Sequence, residues 1–302
     1  MAKGSYDGNL VVLVLLLILT LIVYLSVRGP SDALSPSSMP SLMKHGFVKL
    51  AIDEPEEIMS FARVFSAPIV FAKTRNLWTD TIVKNVLVDD QGQFGSCTAS
   101  ALSYAWQQVV LRSSRPFYRP SRCFWYAESR KHIPDTNYPA DNGSTISDTA
   151  WALSNMGSIE ETLYPYTAQN IGREVPQATK ALAAGRTMPT RRVAFSRDIN
   201  TTIKNFKTEI HGGRLIMIGV LVYSSFMTNS VMKSGNIPVP NTRRERLLGG
   251  HAIALSGWNE TTKTFSFRNT WGSRVGQNGS FNIPYSYVCN PQLAGDPWVI
   301  SL

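Results

Sequence analysis

The stretch that decides the fold is Gln91-Gly92-Gln93-Phe94-Gly95-Ser96-Cys97, which runs directly into Thr98-Ala99-Ser100-Ala101-Leu102-Ser103-Tyr104-Ala105-Trp106. Small and apolar residues recur at helical spacing after the cysteine, whereas two glycines interrupt regular structure before it. The pattern therefore predicts a helix that begins at Cys97. Unpaired backbone N–H groups and the positive end of a helix dipole favour a thiolate at that position, which makes Cys97 a candidate nucleophile.

A cysteine at a buried helix start is more often structural than catalytic. Two distant stretches favour catalysis here. One is Leu248-Gly249-Gly250-His251-Ala252, which places a histidine at the head of an apolar strand, and the other is Asn269-Thr270-Trp271-Gly272. A thiolate nucleophile needs a base, and the base needs a group that orients it.

Together these stretches resemble the papain-like (C1 family) cysteine peptidases. The runs Gln-Gly-x-x-Gly-Ser-Cys, Gly-His and Asn-x-Trp-Gly-(x)3-Gly-x-Asn-Gly occur in the family's order. His251 and Asn269 follow Cys97 by 154 and 172 residues, against about 130 to 150 in papain and cathepsins, and loop insertions would account for the excess. The resemblance covers residues 76–302.

The chain departs from the family pattern beside the nucleophile. Phe94 stands where the family usually has a cysteine, and Thr98 stands where it usually has an aromatic residue. A disulfide next to the cleft is therefore not expected. With Pro120-Ser121-Arg122 and Leu163-Tyr164-Pro165-Tyr166 downstream, the chain is more similar to the disulfide-free branch of bacteria, archaea and large DNA viruses than to lysosomal cathepsins.

The expected fold class is α+β, a papain-like fold with a helical half and a β-barrel-like half flanking the active-site cleft, plus one N-terminal transmembrane helix. Helices are predicted over 121–131, 145–156, capped by Ser144, and 176–184. Strands are predicted over 215–223, 251–258, 264–269 and 280–287. The predicted domains are an N-terminal membrane anchor (1–28), a tether or stalk and possible pro-segment (29–75) and a peptidase domain (76–302).

The predicted anchor is the run from Leu10 to Val27, which is uncharged, almost wholly apolar and 18 residues long. At 1.5 Å per residue such a helix crosses most of a ~30 Å hydrocarbon core. A buried core helix is the weaker alternative because the run has no polar face. A cleaved signal peptide is a closer alternative, but no small-x-small cleavage pattern follows. The few flanking charges do not decide the orientation of the anchor.

The resemblance implies a role for each site residue. Cys97 would be the nucleophile, His251 the base, Asn269 the residue that orients the base, and Gln91 a donor to the oxyanion beside the Cys97 backbone N–H. Trp271 would shield the histidine–asparagine bond from water. The implied substrate-binding residues are Asn142, Gly143, Ser144, Ile146, Gly219, Gly250 and Ala252, three of which (Ile146, Gly219 and Ala252) would form a pocket for an apolar side chain.

Two functions follow. The first is a membrane-tethered cysteine endopeptidase that hydrolyses peptide bonds through a thiolate–imidazolium pair and an acyl-enzyme thioester. The second is a catalytically inactive papain-like scaffold that serves as a membrane-bound binding module, which the departures at Phe94 and Thr98 favour slightly. The intact positions Cys97, His251, Asn269 and Gln91 favour the enzyme.

The charge, the cysteine spacing and the motifs of the chain limit the classes of partner and cofactor that we expect it to bind. The chain carries 30 Lys and Arg against 21 Asp and Glu, and these charges are expected on a solvated surface, because no nucleic-acid-binding motif accompanies them. Cys123 and Cys289 lack metal-ligand spacing and there is no phosphate-binding loop, so neither a cofactor nor a metal is expected. The expected partners are a peptide or protein substrate and a lipid membrane bound through residues 10–27. The sequence does not set the oligomeric state.

The expected location is a single-pass membrane protein with a reduced, unglycosylated peptidase domain. Four Asn-x-Ser/Thr sequons are present, at Asn142, Asn200, Asn259 and Asn278, and a glycan on Asn142 would stand at the implied substrate groove. The missing disulfide also fits a reducing space, because an oxidising one favours such a bond. A domain facing the cytosol, one enclosed in a virion, and a prokaryotic membrane all satisfy these observations.

Overall fold

The computed structural model describes residues 69–81, 86–134 and 137–301. The predicted membrane anchor and nearly all of the predicted tether therefore lie outside the described residues. Within those ranges, no helix combines the length and the apolar character that crossing a bilayer requires.

Eight α-helices lie in the described part of the chain, and most of them precede the long strands. They are α1 (Cys97–Leu111), α2 (Arg122–His132), α3 (Ile146–Trp151), α4 (Ala168–Ile171), α5 (Gln177–Ala183), α6 (Ile199–His211), α7 (Asn229–Ser234) and α8 (Tyr285–Val288). Short 3₁₀ turns cover Leu77–Thr79 and Ser224–Met227, and a π-helical turn, Ala152–Met156, continues α3.

The β half is one antiparallel sheet of seven strands. Its strands are β1 (Thr74–Asn76), β2 (Thr190–Arg192), β3 (Ile216–Tyr223), β4 (Leu247–Asn259), β5 (Thr264–Arg268), β6 (Ser280–Pro284) and β7 (Ala294–Ile300). The order is β2-β7-β3-β4-β5-β6, with β1 paired to β4. Among the described strands this path is open, so the half predicted as barrel-like is a sheet that does not close on itself.

Helix α1 lies at the centre of the fold because it is buried on every side. Of its 15 residues all but Leu111 are buried, and a helix enclosed in this way needs small side chains where neighbours approach closely. Alanines and serines meet that need, and Gln107 satisfies its amide by donating to the Ser103 carbonyl at 3.2 Å. The helix packs on both α2 and β4, so a single apolar core joins the two halves.

The sequence located α1, α2, α3, α5 and strands β3 to β6, but it missed α6 and β7 and misjudged several ends. Thr145, not Ser144, caps α3, because its hydroxyl accepts from the Asp148 N–H at 2.9 Å. Gly157 ends the π-helical turn with φ of 84°, and a Cβ there would lie 2.1 Å from the Ala183 carbonyl oxygen. Strand β4 begins at Leu247, so His251 lies inside it instead of heading it.

Candidate active site

The loop before Cys97 is tied to the segment that carries the asparagine and the tryptophan. The Gln91 N–H donates to the Thr270 carbonyl at 2.8 Å, and Asp90 forms an isolated antiparallel bridge with Trp271. Inside the loop, Gly92 adopts φ of 58° and its N–H donates to the Asp90 carboxylate at 2.8 Å. These bonds bring the start of α1 next to the segment after β5, although 172 residues separate Cys97 from Asn269.

His251 on β4 and Asn269, the first residue after β5, form a buried pair. His251 Nε2 and Asn269 Oδ1 lie 2.8 Å apart, and both residues are 0% exposed. The same Asn269 oxygen accepts from the Thr270 N–H at 2.8 Å, and the Asn269 carbonyl accepts from the Tyr104 hydroxyl of α1 at 3.0 Å. The bond from the Thr270 N–H identifies this Asn269 atom as the amide oxygen, which can only accept. His251 Nε2 must therefore donate to it, so in the neutral ring the proton lies on Nε2 and Nδ1 is unprotonated.

Trp271 covers this pair. Its ring stacks on His251 with centroids 4.9 Å apart and planes inclined by 26°. Phe226 meets the other side of the indole edge-on at 5.9 Å. The apolar cover excludes water from the bond between His251 and Asn269.

Burial sets the charge state of His251. Removal from water lowers the pKa of the ring to about 4, although the hydrogen bond with Asn269 opposes the shift. At neutral pH the ring is therefore uncharged when no anion lies beside it. Its Nδ1 is buried and has no hydrogen-bond partner among the described residues, so it is the ring atom that can take up a proton.

Gln91 is a buried residue of the loop before Cys97, which we call the nucleophile loop. Both ends of its side-chain amide form hydrogen bonds. Its Nε2 donates to the Phe94 carbonyl at 2.7 Å, and its Oε1 accepts from the Thr270 hydroxyl. A side-chain amide carries two N–H donors. One donor is used inside the loop, which leaves the second for a bound ligand.

A buried arginine and a tyrosine, to which the sequence analysis gave no role, support this loop from behind. Arg122 on α2 donates to Glu161 at 3.0 and 3.3 Å and to the Asp90 carbonyl at 3.2 Å. Its guanidinium lies 3.9 Å from the Tyr166 ring centroid, and the Tyr166 hydroxyl donates to the Gln91 carbonyl at 2.9 Å. Both residues lie in stretches that the family resemblance includes, but their contacts depend on the fold.

The implied substrate-binding residues fall into two groups. Asn142 is exposed beside the buried residues Gly143 and Ser144, and Ser144 donates to the Ser129 hydroxyl at 2.8 Å. Gly219 and Ala252 are directly opposite each other on β3 and β4, with Gly250 opposite Leu221, whereas Ile146 is the first residue of α3. Ile146 and Ala252 are almost fully buried.

Asp296 is another residue next to this region that sequence reasoning missed. It has φ of 55°, a backbone conformation that is uncommon for a residue other than glycine. Its carboxylate accepts from the Ser147 N–H at 3.0 Å and from the Trp298 indole at 2.6 Å. It therefore joins β7 to the start of α3, and no local pattern in the sequence marks it.

Three comparisons with known proteins agree with this geometry. The family model "Papain family cysteine protease" matches residues 76–293. An uncharacterized peptidase C1-like protein of Acanthamoeba polyphaga mimivirus is 34% identical over 215 residues, which cover 70% of this chain and 68% of that protein.

Two solved structures illustrate the likeness of fold. Xylellain, a cysteine protease from Xylella fastidiosa, superposes with a TM-score of 0.69 at 28% identity and covers 85% of this chain and 96% of its own. Digestive procathepsin L 3 from the larval midgut of Tenebrio molitor superposes with a TM-score of 0.63 at 17% identity, covering 89% of this chain and 80% of its own. The second likeness concerns the fold alone.

An α+β fold with a thiol at a helix start and a buried histidine–asparagine pair defines a class of thiol-dependent hydrolases. The chain belongs to the papain family of cysteine proteases. The predicted family membership is thus confirmed, and so is the prediction of an enzyme that cleaves peptide bonds. All three cysteines of the chain are buried and none of them forms a disulfide, in agreement with the predicted disulfide-free form.

Proposed function

We propose that this protease is a membrane-tethered endopeptidase in which Cys97 attacks the peptide and His251 transfers the proton. The observation that supports this assignment most directly is the different bonding of the two ring nitrogens of His251. Nε2 is bonded to Asn269, whereas Nδ1 is buried without a partner among the described residues. A fixed orientation together with one unused basic atom is what a general base requires.

The reaction proceeds in two halves. The Cys97 thiol gives its proton to His251 Nδ1 and its sulfur attacks the peptide carbonyl carbon, forming a tetrahedral oxyanion. The C–N bond then breaks as the imidazolium returns the proton to the leaving amine, which leaves a thioester on Cys97. Water attacks this thioester with His251 as the base, and the acid product and the free thiol are released.

The transient charges are stabilised locally. The positive end of α1 and the Cys97 backbone N–H favour the thiolate and then the oxyanion. The second Nε2 hydrogen of Gln91 is the other donor to the oxyanion. The imidazolium is unfavourable in a buried site, as the lowered pKa of His251 implies, so the ring charges only while an anion stands opposite it.

The proposed substrate groove runs along Asn142, Gly143 and Ser144. Gly143 has φ of 81°, and the segment leads into α3, a helix that contacts β3. In the proposal the substrate backbone follows this segment, and its second residue before the scissile bond enters the apolar space between Ile146, Gly219 and Ala252. Burial of these residues favours an apolar side chain there.

The tether is the less direct part of the proposal. It rests on the uncharged, almost wholly apolar run of residues 10–27, whereas the absence of disulfides among the three cysteines supports a reduced compartment. A reduced domain fits a cytosolic face, a virion interior or a prokaryotic membrane. Protease protection in sealed membranes, combined with mass analysis of Asn142, tests the orientation, and a lumenal, active protein with a glycan on Asn142 would contradict it.

The other two cysteines, Cys123 and Cys289, are controls for the proposed reactivity of Cys97. Burial raises the pKa of the Cys123 thiol to about 11 and also raises that of Cys289. Both therefore remain protonated near neutral pH. We expect a thiol-directed covalent inhibitor to label Cys97 selectively, as read by peptide mass mapping. Labelling of Cys97 no faster than of Cys123 or Cys289 would instead support the inactive binding module.

A further inference from the structure

We infer that Asp141 is a positioning residue for catalysis, because its carboxylate clamps the loop before Cys97 to the segment proposed to bind the substrate backbone. The inference rests on the proposed function of that site. It adds a residue to which neither the sequence motifs nor the proposed mechanism gives a role.

The clamp consists of one carboxylate and one hydroxyl. The Gly95 N–H donates to both oxygens of Asp141, at 3.1 and 3.2 Å. The Tyr126 hydroxyl donates to Oδ1 of the same carboxylate and accepts from the Gly143 N–H at 3.0 Å. The bonds therefore run without interruption from Gly95, two residues before the nucleophile, to Gly143 in the proposed substrate groove.

The clamp is itself held by α2. Arg130, which is 1% exposed, donates to the carbonyls of Pro139 and Ala140 at 2.8 and 2.5 Å. The same guanidinium lies 4.0 Å from the centroid of the Tyr126 ring. One buried cation therefore fixes the backbone just before Asp141 and supports the tyrosine that bonds to it, so the carboxylate has little freedom to turn away.

A carboxylate suits this position because every group that faces it here is a donor. An amide could still accept both bonds through its oxygen, whereas alanine would leave the Gly95 N–H and the Tyr126 hydroxyl without this acceptor. The N–H of Gly95 is in a buried residue, where an unpaired donor is unfavourable. The loop would then relax, and the donors that surround the oxyanion would move with it.

This placement links the clamp to catalysis and not only to stability. Gln91 and the Cys97 backbone N–H both belong to the loop that Asp141 holds. A misplacement of about 1 Å in such a site lowers a rate by about 100-fold. No disulfide restrains this loop, because Phe94 stands at the position next to Gly95 where the family usually has a cysteine.

The test separates positioning from the reactivity of the thiol. We would measure kcat and KM of Asp141→Ala and Asp141→Asn on a peptide substrate, and the rate at which iodoacetamide alkylates Cys97 in each variant. Alkylation needs the thiolate but no oxyanion donor and no peptide groove. We expect kcat/KM of Asp141→Ala to fall about 10- to 100-fold, mainly through kcat, and that of Asp141→Asn to fall less, while the alkylation rate of both changes by less than about twofold.

Asp148→Ala is the matched control. Its carboxylate lies seven residues further on and bonds to His132 at 2.6 Å and to Thr145, but has no bond to the nucleophile loop. We expect its kcat/KM to stay within about threefold of that of the unchanged protein. Tyr126→Phe should lower kcat/KM in the same way as Asp141→Ala, and the double variant should lose less than the product of the two single losses, because both residues belong to one chain of bonds.

Three results would overturn the clamp. They are unchanged kcat/KM in Asp141→Ala, a fall in Cys97 alkylation parallel to the fall in kcat, and an equal loss in Asp148→Ala. None of them affects the proposed function, which stands or fails on Cys97→Ala and His251→Ala. Full activity in those two variants would remove the mechanism and leave the hydrogen bonds of Asp141 without a catalytic meaning.

Discussion

The loop before Cys97 and the facing wall, formed by His251, Asn269 and Trp271, are both buried, but they differ in hydrogen bonding. The buried polar side-chain atoms of the loop are bonded, and several of those on the wall are not. In the loop, both ends of the Gln91 amide are bonded, and its backbone carbonyl accepts from Tyr166. On the wall, His251 Nδ1, Asn269 Nδ2 and Trp271 Nε1 are buried with no hydrogen-bond partner among the described residues. Buried polar groups of this second kind are rare because they are energetically unfavourable.

The difference fits the proposed mechanism, in which the loop is a rigid support and the His251 side takes part in the reaction. A loop whose polar groups are satisfied has no alternative arrangement of similar energy, so it holds its donors in place. The wall instead contains a basic nitrogen, His251 Nδ1, to which no described residue donates a hydrogen bond, and this arrangement lowers the stability of the fold.

Removal of either reacting group should abolish peptide hydrolysis. We expect Cys97→Ala and His251→Ala each to lower kcat by about 10⁴- to 10⁶-fold, because these groups make and break bonds. Cys123→Ala is the control, because this buried thiol lies outside the site, and it should keep nearly full activity. A steady-state assay on a fluorogenic peptide measures all three, and full activity in His251→Ala would exclude the histidine as the base.

Loss of the cation behind the loop should destabilise the fold. Arg122→Met removes a buried cation that bonds to Glu161 and the Asp90 carbonyl and lies 3.7 Å from the buried Asp89 carboxylate, although Arg119 stays beside Glu161. Breaking a buried ion pair typically lowers the free energy of unfolding by about 3 to 5 kcal/mol. Lys131→Met on the same helix breaks only an exposed pair with Glu174 and should change it by less than about 1 kcal/mol. Urea unfolding gives both values, and equal effects would contradict the scaffold role of the loop.

The orienting and stabilising residues should matter less than the reacting ones. We expect Asn269→Ala and Gln91→Ala to lower kcat by about 10²- to 10³-fold and to leave measurable activity. Gln93→Ala changes an exposed residue of the same loop and should leave kcat unchanged. Loss of activity in Gln91→Ala as complete as in Cys97→Ala would mean that the loop folds only with its glutamine.

The buried ring of His251 should make stability depend on pH. Its pKa is about 4 in the folded state and 6.5 without burial. Between these values the unfolded chain holds the extra proton, so the free energy of unfolding should rise from pH 4 to pH 6.5, by about 3 kcal/mol in total. Cys97→Ala isolates the ring from the thiol, and adding His251→Gln should remove this rise in urea unfolding. A rise that persists in the double variant would have another source.

The proposed pocket should give the smallest effect. With Ile146, Gly219 and Ala252 around it, we expect substrates that carry leucine at the second position before the scissile bond to exceed the alanine analogue in kcat/KM by about 10-fold, because a few buried methylenes contribute about 1 to 3 kcal/mol. A substrate library measures the preference. Selection of arginine or glutamate there would overturn the pocket assignment.

Local patterns predicted the centre of the fold well and its margins less well. The helix at Cys97, helix α2 and strands β3, β4 and β5 follow from periodicity and turn residues. Helix α6 was missed although Asp198 caps it and isoleucines recur at helical spacing from Ile199. Strand β7 was also missed, because Pro297 and the glycine before it weaken its strand pattern.

Residue types and motifs alone were enough to propose Cys97, His251, Asn269 and Gln91 as the site residues, because cysteine, histidine, asparagine and glutamine have chemistry that few other side chains share. The sequence by itself also determined the helix start at Cys97, which depends on neighbours within a few positions. Only the tertiary structure decided which His251 nitrogen is engaged, how Arg122 supports the loop and where the Asp141 carboxylate points. Each of these contacts joins residues far apart in the chain, and a hydrogen bond between distant residues depends on the packing of whole elements, which no local pattern records.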